Sequence, residues 1–481
     1  MFSGSRVVFL LLVAAFSGVP LISAQVTFTQ VTYTSGDTST LSIANGDFNK
    51  DGILDLVTVN ASTLSFYKGL GSGKFANPVN QTLSSNLGQV VAADFNRNGT
   101  LDLAIASTAS ASSSGVITIL LGNNNGTFTQ GTNVTVNGVP NHIVLADFNG
   151  DHLPDIAASV CNTSTCTTQV FLGQGNGTFK LSTTLSYGGE AVVAGDFNAD
   201  GHQDLAVLGG NQLALYLGNG NGTFQSPHLA SQNAAISLAV GDFYNNRIQS
   251  LAVLTEALNN GNFNYYVATA RYLNGALVVT SPQLASTSQF YHDLVAGDLN
   301  GDFKDDIVLV GGEKFGGGAL VAYMLGNGNG TFQNAVTLTG YGQAEELPFV
   351  RDIDLDARHD IGAAWTNGYV VNGGGADVFL NTNSTTNCTP PKPNALTVHI
   401  CAPSSGQTVG QTFTFKGAGN AWNGIAKRIE LWIDGKKIGQ NLEDQLNVTA
   451  TLARGPHTAA FVVVDSFDNH ISQSVSFTSS Y

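Results

Sequence analysis

Asp47, Asn49, Asp51 and Asp55 put four oxygen-bearing side chains at positions 1, 3, 5 and 9 of the loop DFNKDGILD. Oxygen donors packed that closely suit a hard divalent cation, calcium above all. Nothing in the loop supplies a nucleophile, so the chemistry on offer is ion binding. The spacing returns at DFNRNGTLD from Asp94, DFNGDHLPD from Asp147, DFNADGHQD from Asp196, DFYNNRIQS from Asp242, DLNGDFKDD from Asp298 and DIDLDARHD from Asp352. Asp and Asn also serve tight turns by bonding their own backbone, so one such loop would be ambiguous. Six loops with the same four positions filled point to a metal. These positions hold more than half of the chain's 34 acidic residues. The formal charge of −15 therefore reads as unfilled metal sites, and it argues against nucleic acid and anionic membranes as partners.

Such loops need elements to hold them. The first is followed by Leu56-Val57-Thr58-Val59, a β-branched run that favours a strand. A second motif recurs in phase: LGNNNGTF from Leu121, LGQGNGTF from Leu172, LGNGNGTF from Leu217 and Leu325, and a looser GLGSGKF from Gly69. Asn-Gly between apolar runs marks a tight hairpin, because both turn residues take positive φ. Each repeat thus reads strand, acidic loop, strand, variable loop, strand, Asn-Gly turn, strand. A period near fifty residues signals an array of supersecondary units, and four short antiparallel strands make one propeller blade. The predicted fold is all-β, a seven-bladed β-propeller over residues 25–383. Its seventh repeat stops at Asn381 without a fourth strand. Thr27-Phe28-Thr29-Gln30 matches Thr127-Phe128-Thr129-Gln130, the fourth strand of repeat 2. Residues 26–33 are therefore expected to complete blade 7 and close the ring.

Arg6, the apolar run Val7–Phe16 and Ile22-Ser23-Ala24 predict a signal peptide over residues 1–24, hence a secreted or periplasmic chain with no membrane insertion once mature. Four cysteines fit an oxidising compartment and allow three pairings. Locality favours Cys161–Cys166 and Cys388–Cys401. A zinc site is the weaker reading, since Cys-x4-Cys has no matching pair.

The paired acidic loops and LGNGNGTF turns resemble FG-GAP (VCBS-type) repeats, which build the integrin α-subunit propeller and many secreted bacterial proteins. The resemblance covers roughly residues 26–383. It implies up to six structural calcium ions, each held by side chains at positions 1, 3, 5 and 9 and the carbonyl at position 7. Carried over, loop 1 offers Asp47, Asn49, Asp51, Asp55 and the Ile53 carbonyl, and loop 2 offers Asp94, Asn96, Asn98 and Asp102. Loop 3 offers Asp147, Asn149, Asp151 and Asp155, and loop 4 offers Asp196, Asn198, Asp200 and Asp204. Loop 6 offers Asp298, Asn300, Asp302 and Asp306. Loop 7 offers Asp352, Asp354, Asp356 and Asp360, with Ala357 where the pattern has Gly. Loop 5 departs: Tyr244 and Ser250 replace ligands, and no metal is expected there.

Three prolines mark residues 384–395 as a linker. From 396 to 481 strand alternation takes over, in seven runs that resemble bacterial immunoglobulin-like sandwich domains, with Trp432 expected in the core. Nine scattered His form no catalytic motif. The expected function is a non-catalytic protein- or glycan-binding or adhesion module. The alternatives are a structural envelope component, or a polysaccharide lyase or hydrolase on a propeller scaffold. The ligand patch is expected on the face away from the acidic loops, around Phe290, Tyr291, Phe315 and Tyr341, as exposed aromatics suit a sugar ring or a protein anchor; the alternative for Phe290 and Tyr291 is that they fill the gap between blades.

Overall fold

The computed structural model describes residues 26–480, apart from 36–39, 84–85, 109–114, 164, 260–261, 288, 314–318, 341–343, 367–373, 384–386, 393–394, 422–425 and 443. The predicted signal peptide, Phe315 and Tyr341 lie outside the described residues. Every element described is a strand, and no described helix is long and apolar enough to cross a membrane.

Among the described residues up to Asn381, seven antiparallel sheets of four or five strands follow one another along the chain, beside a two-stranded hairpin of Gly69–Gly71 and Lys74–Phe75. Sheet 1 is Ser42–Gly46, Asp55–Val59, Thr63–Tyr67 and Val79–Thr82. Sheet 3 is Val139–Ala146, Asp155–Cys161, Cys166–Gly173 and Phe179–Leu185. Sheet 5 contains the longest hairpin, Ser250–Asn259 with Asn262–Leu273. Sheet 7 is Ala344–Arg351, Asp360–Thr366 and Gly374–Asn381, and its fourth strand is the N-terminal Phe28–Thr34, in register from Phe28 against Asn381 to Thr34 against Gly375.

The first strand of each sheet packs on the first strand of the next, and Ala344–Arg351 packs on Ser42–Gly46, so the sheets form a closed cycle. Burial follows from that cycle. The second strand of sheet 1, Asp55–Val59, is buried throughout because neighbouring sheets cover both its faces; this is why these strands read as unbroken apolar runs. Seven apolar clusters fill the seven gaps between sheets, from Phe48, Leu103 and Phe128 between sheets 1 and 2 to Ile43, Phe75 and Val378 between sheets 7 and 1.

Beyond residue 396 two further sheets enclose their own core of Phe415, Ile429, Leu431, Phe461 and Phe477. One holds Thr397–Ala402, Thr412–Asn420 and Gln445–Thr451; the other holds Thr408–Val409, His470–Ser479, Gly455–Asp465, Ala426–Ile433 and Lys436–Asn441. The expectation for Trp432 is corrected here. Alternation sends Ile429, Leu431 and Ile433 inward, so Trp432 lies half-buried on the outer face, its indole N–H donating to Glu430. The predicted linker is packed rather than free: Cys388 is buried, and the Pro391 carbonyl accepts from Asn420. Disulfides join Cys161 to Cys166, at paired strand ends, and Cys388 to Cys401.

Candidate metal centres

Each acidic loop is first a set of side chains holding its own backbone. In loop 1 the Asp47 carboxylate accepts from the amides of Asp51 at 3.1 Å and Gly52 at 2.8 Å. Asn49 accepts from Asp51, and Asp51 accepts from Ile53. Asp55 reaches furthest, accepting from Phe48 N at 3.0 Å across the loop and from Gly69 N at 2.7 Å at the end of the third strand. The position-9 residues Asp102, Asp155, Asp204, Asp306 and Asp360 make the same pair of bonds, ending on Gly122, Gly173, Gly218, Gly326 and Asn381. This explains the glycine of the Leu-Gly motif. A Cβ on Gly173 would sit 2.4 Å from the Pro154 carbonyl oxygen, and one on Gly326 would sit 2.2 Å from that of Asp305.

The two sequence motifs recur in phase because they touch. The last glycine of each Asn-Gly turn donates to position 2 of the preceding sheet's loop: Gly177 N to Phe95 O, Gly222 N to Phe148 O and Gly330 N to Phe243 O. The phenylalanines of the two motifs then meet edge to face across the sheet gap, as Phe48–Phe128 at 5.8 Å, Phe95–Phe179 at 5.3 Å, Phe148–Phe224 at 5.6 Å and Phe243–Phe332 at 5.5 Å.

Position 9 carries buried charge. Asp55, Asp102, Asp155, Asp204, Asp306 and Asp360 are all 0 % exposed. Burial, which penalises the ionised form, pushes Asp55, Asp102, Asp155 and Asp204 up to about 7 and Asp360 to about 8. Position 1 follows in the loops most covered: Asp298 rises to about 6 and Asp352 to about 7. Position 5 faces water as Asp51, Asp151, Asp200 and Asp302, and only in loop 7 is it half-buried, as Asp356.

Loop 7 gathers its carboxylates most closely, and Arg358 already pairs with Asp356 there. Asp352, Asp354 and Asp356 bring carboxylate oxygens within 4.8 Å of one another, and Asp354 Oδ1 is buried with no hydrogen-bond partner. Asp360 would complete an oxygen set suited to calcium. Loops 1, 2, 3, 4 and 6 present the same positions with Asn49, Asn96, Asn149, Asn198 and Asn300 at position 3. Loop 5 is the informative exception. Asp242 still accepts from Asn246 N and Arg247 N, while Ser250 Oγ takes over the bracing role of position 9, accepting from Phe243 N and donating to Gly241 O. The loop path therefore closes with one carboxylate of its own, while Asp305 of loop 6 accepts from the Asp242 amide. The additional carboxylates elsewhere are not needed for the turn.

The C-terminal sheets rest on this side of the cycle, a placement that no motif in the sequence signals. A cavity of about 370 Å³ lies between them and the axis, with Asn45, Gln203, Asp305, Arg351, Lys427 and Asp444 among its walls. His152, its side chain about half exposed, approaches the Phe467 carbonyl with Nδ1 at 3.1 Å.

The aromatic patch needs correction. Tyr291 is 1 % exposed and belongs to the core between sheets 5 and 6, with its hydroxyl donating to Gln289. Phe290 is half-buried against Phe263 and Tyr265. The inter-sheet gap claims both rings, because large side chains there are buried from two sides.

Residues 26–105, 106–158 and 196–253 are similar to the family model described as FG-GAP-like repeat. No curated protein matches its sequence. Among solved structures it is similar to an Agrocybe aegerita lectin studied for specific recognition of non-reducing terminal N-acetylglucosamine, at 18% identity and a TM-score of 0.44, over 72% of this chain and 86% of that one. It is also similar to fibronectin(III)-like modules of Clostridium thermocellum CbhA, at 20% identity and a TM-score of 0.17, over 18% of this chain and 100% of that one.

Proposed function

We propose that this chain is a secreted seven-bladed β-propeller of FG-GAP-like repeats braced by structural calcium, followed by an immunoglobulin-like sandwich, and that it serves as a non-catalytic module binding an extracellular protein or glycan. The observation that carries the calcium reading is the contrast between loops. Loop 5 closes with Asp242, Asn246 and Ser250, with Asp305 of the next loop on the Asp242 amide, whereas six others bury a carboxylate at position 9 where loop 5 has a serine. A buried carboxylate without a counter-charge is unfavourable, and a divalent ion shared by four oxygens removes the penalty.

In this reading the ion ties the first and second strands of a blade, and the ring presents the loops of its other face. That face carries the tip of the long sheet-5 hairpin, where Leu258 is 69 % exposed. Loops on a rigid scaffold are the usual seat of binding, while the C-terminal sheets occupy the acidic-loop side. Tyr291 has no part in such a surface.

The test is a glycan array probed with calcium-loaded and chelated protein, alongside a polysaccharide panel assayed for product release. Calcium-dependent retention of a glycan class without turnover supports the reading. Release of shortened or unsaturated sugars would replace it with an enzyme.

A further inference from the structure

The C-terminal sheets meet the ring through residues that flank the loop-7 carboxylates. Arg351, next to Asp352 in the chain, donates to Asn45 Oδ1 at 2.8 Å within the ring and to Asn420 Oδ1 at 2.9 Å across the junction. His359, next to Asp360, places Nε2 3.3 Å from Asp444 Oδ1. On the far side of the same junction Phe467, from the turn after Gly455–Asp465, is 1 % exposed and sits within the apolar cluster of sheets 2 and 3. A side chain of one unit buried in the core of the other marks a built interface rather than a loose tether.

From this arrangement we infer that the C-terminal sheets are an ion-linked cap: calcium in loop 7 favours their docking, and docking retains that calcium. The inference rests on the calcium reading above. Its physical basis is charge and position. Docking brings Asp444 towards a loop that already gathers Asp352, Asp354 and Asp356 within 4.8 Å. Without an ion the four loop carboxylates, offset in part by Arg358 on Asp356, repel a further one; a divalent ion cancels two more of those charges and weakens the repulsion. Filling the site also fixes Asp352 and Asp360, and with them the aim of Arg351 and His359 at the cap. Loop 7 is the loop whose position-5 carboxylate is half-buried, with Arg358 against it, so an ion held there would be the least open to water. Linkage is reciprocal, so whatever factor the ion adds to docking, docking adds to ion affinity.

The experiment uses the full calcium-loaded chain. A fluorescent chelator in stopped flow follows ion release, and hydrogen–deuterium exchange follows the cap strand Thr412–Asn420. The expected trace has a main phase and a slow phase of one ion, slower by roughly 5–150-fold, the usual range of such couplings. Exchange of the cap strand should accelerate on chelation. In Phe467→Ala the slow ion should join the main phase with the number of ions unchanged. Release in a single phase, or a slow phase untouched in Phe467→Ala while exchange shows the cap freed, overturns the linkage and leaves the calcium reading standing. Should Phe467→Ala fail to fold, the wild-type chain decides: calcium leaving with cap-strand exchange unchanged overturns it. A chain that binds no calcium overturns both.

Discussion

Chelating divalent ions should make the stability of this protein fall as pH rises, the reverse of ordinary acid denaturation. In the ion-free fold Asp55, Asp102, Asp155 and Asp204 protonate near about 7 and Asp360 near about 8, against about 3.9 for an unfolded Asp. Raised values mean that the folded state binds more protons than the unfolded state between those limits. Their contribution is therefore fully present below about pH 4 and is lost as pH climbs through 7 to 8. A shift of three units corresponds to about 4 kcal/mol for each group, and no discount for solvent applies, since all five are 0 % exposed. Several such groups ionised together would take up much of the margin of about 5–15 kcal/mol that holds a domain. The ion-free ring must take up protons or lose sheets. Even 1 kcal/mol moves the melting temperature by about 2–4 °C in a chain of 150–250 residues. Melting followed by circular dichroism in chelator should drop by about 10 °C or more between pH 5.5 and pH 8.5 on that scale. In millimolar calcium the profile should be nearly flat. Chelated protein as stable at pH 8.5 as at pH 5.5 would refute the reasoning, because the carboxylates would then carry no uncompensated charge.

Gly173→Ala drives a Cβ to 2.4 Å from the Pro154 carbonyl, and thermal melts should show a loss of about 1–3 kcal/mol from the forced backbone shift. Phe95→Ala and Phe179→Ala break the ring pair that joins sheets 2 and 3. Each should cost about 3–5 kcal/mol, and the double mutant should recover a coupling of about 0.5–1.5 kcal/mol in a cycle measured by denaturant unfolding. Deleting residues 25–35 removes the partner of Gly374–Asn381 and the Gln30 and Thr32 bonds to Asp377, which is 0 % exposed. Hydrogen exchange in sheet 7 should then quicken while sheets 2 to 4 keep their protection; uniform behaviour across the ring would contradict the closure role.

Much of this architecture was legible because two short-range signals repeat. Asn-Gly turns and Asp-loops each specify local backbone, and their common period places one strand boundary after another. The match of Thr27–Gln30 to Thr127–Gln130 carried the pairing of chain ends across more than three hundred residues, because a fourth strand looks alike wherever it is supplied. The contacts that give the motifs their phase, such as Gly222 N to Phe148 O, were not legible, since they join neighbouring repeats rather than neighbours in sequence. Aromatic residues misled for a related reason: Tyr291 follows a variable loop in sequence, yet the sheet gap buries it. For Trp432 the alternation of Arg-Ile-Glu-Leu-Trp-Ile was the better guide, and residue type the worse one. Nothing in the local pattern of Asp465-Ser466-Phe467 shows that its phenylalanine sits in another unit's core.

In the proposed reading six loops hold metal and the fifth in order does not. Calcium bound per chain, measured by elemental analysis after dialysis against calcium and removal of free ion, tests it directly. Six ions are expected for the wild-type chain, five for Asp200→Ala and six for Asp242→Ala, following the acidic positions of each loop. A chain that retains no calcium, or one that loses an ion with Asp242 but not with Asp200, would contradict it.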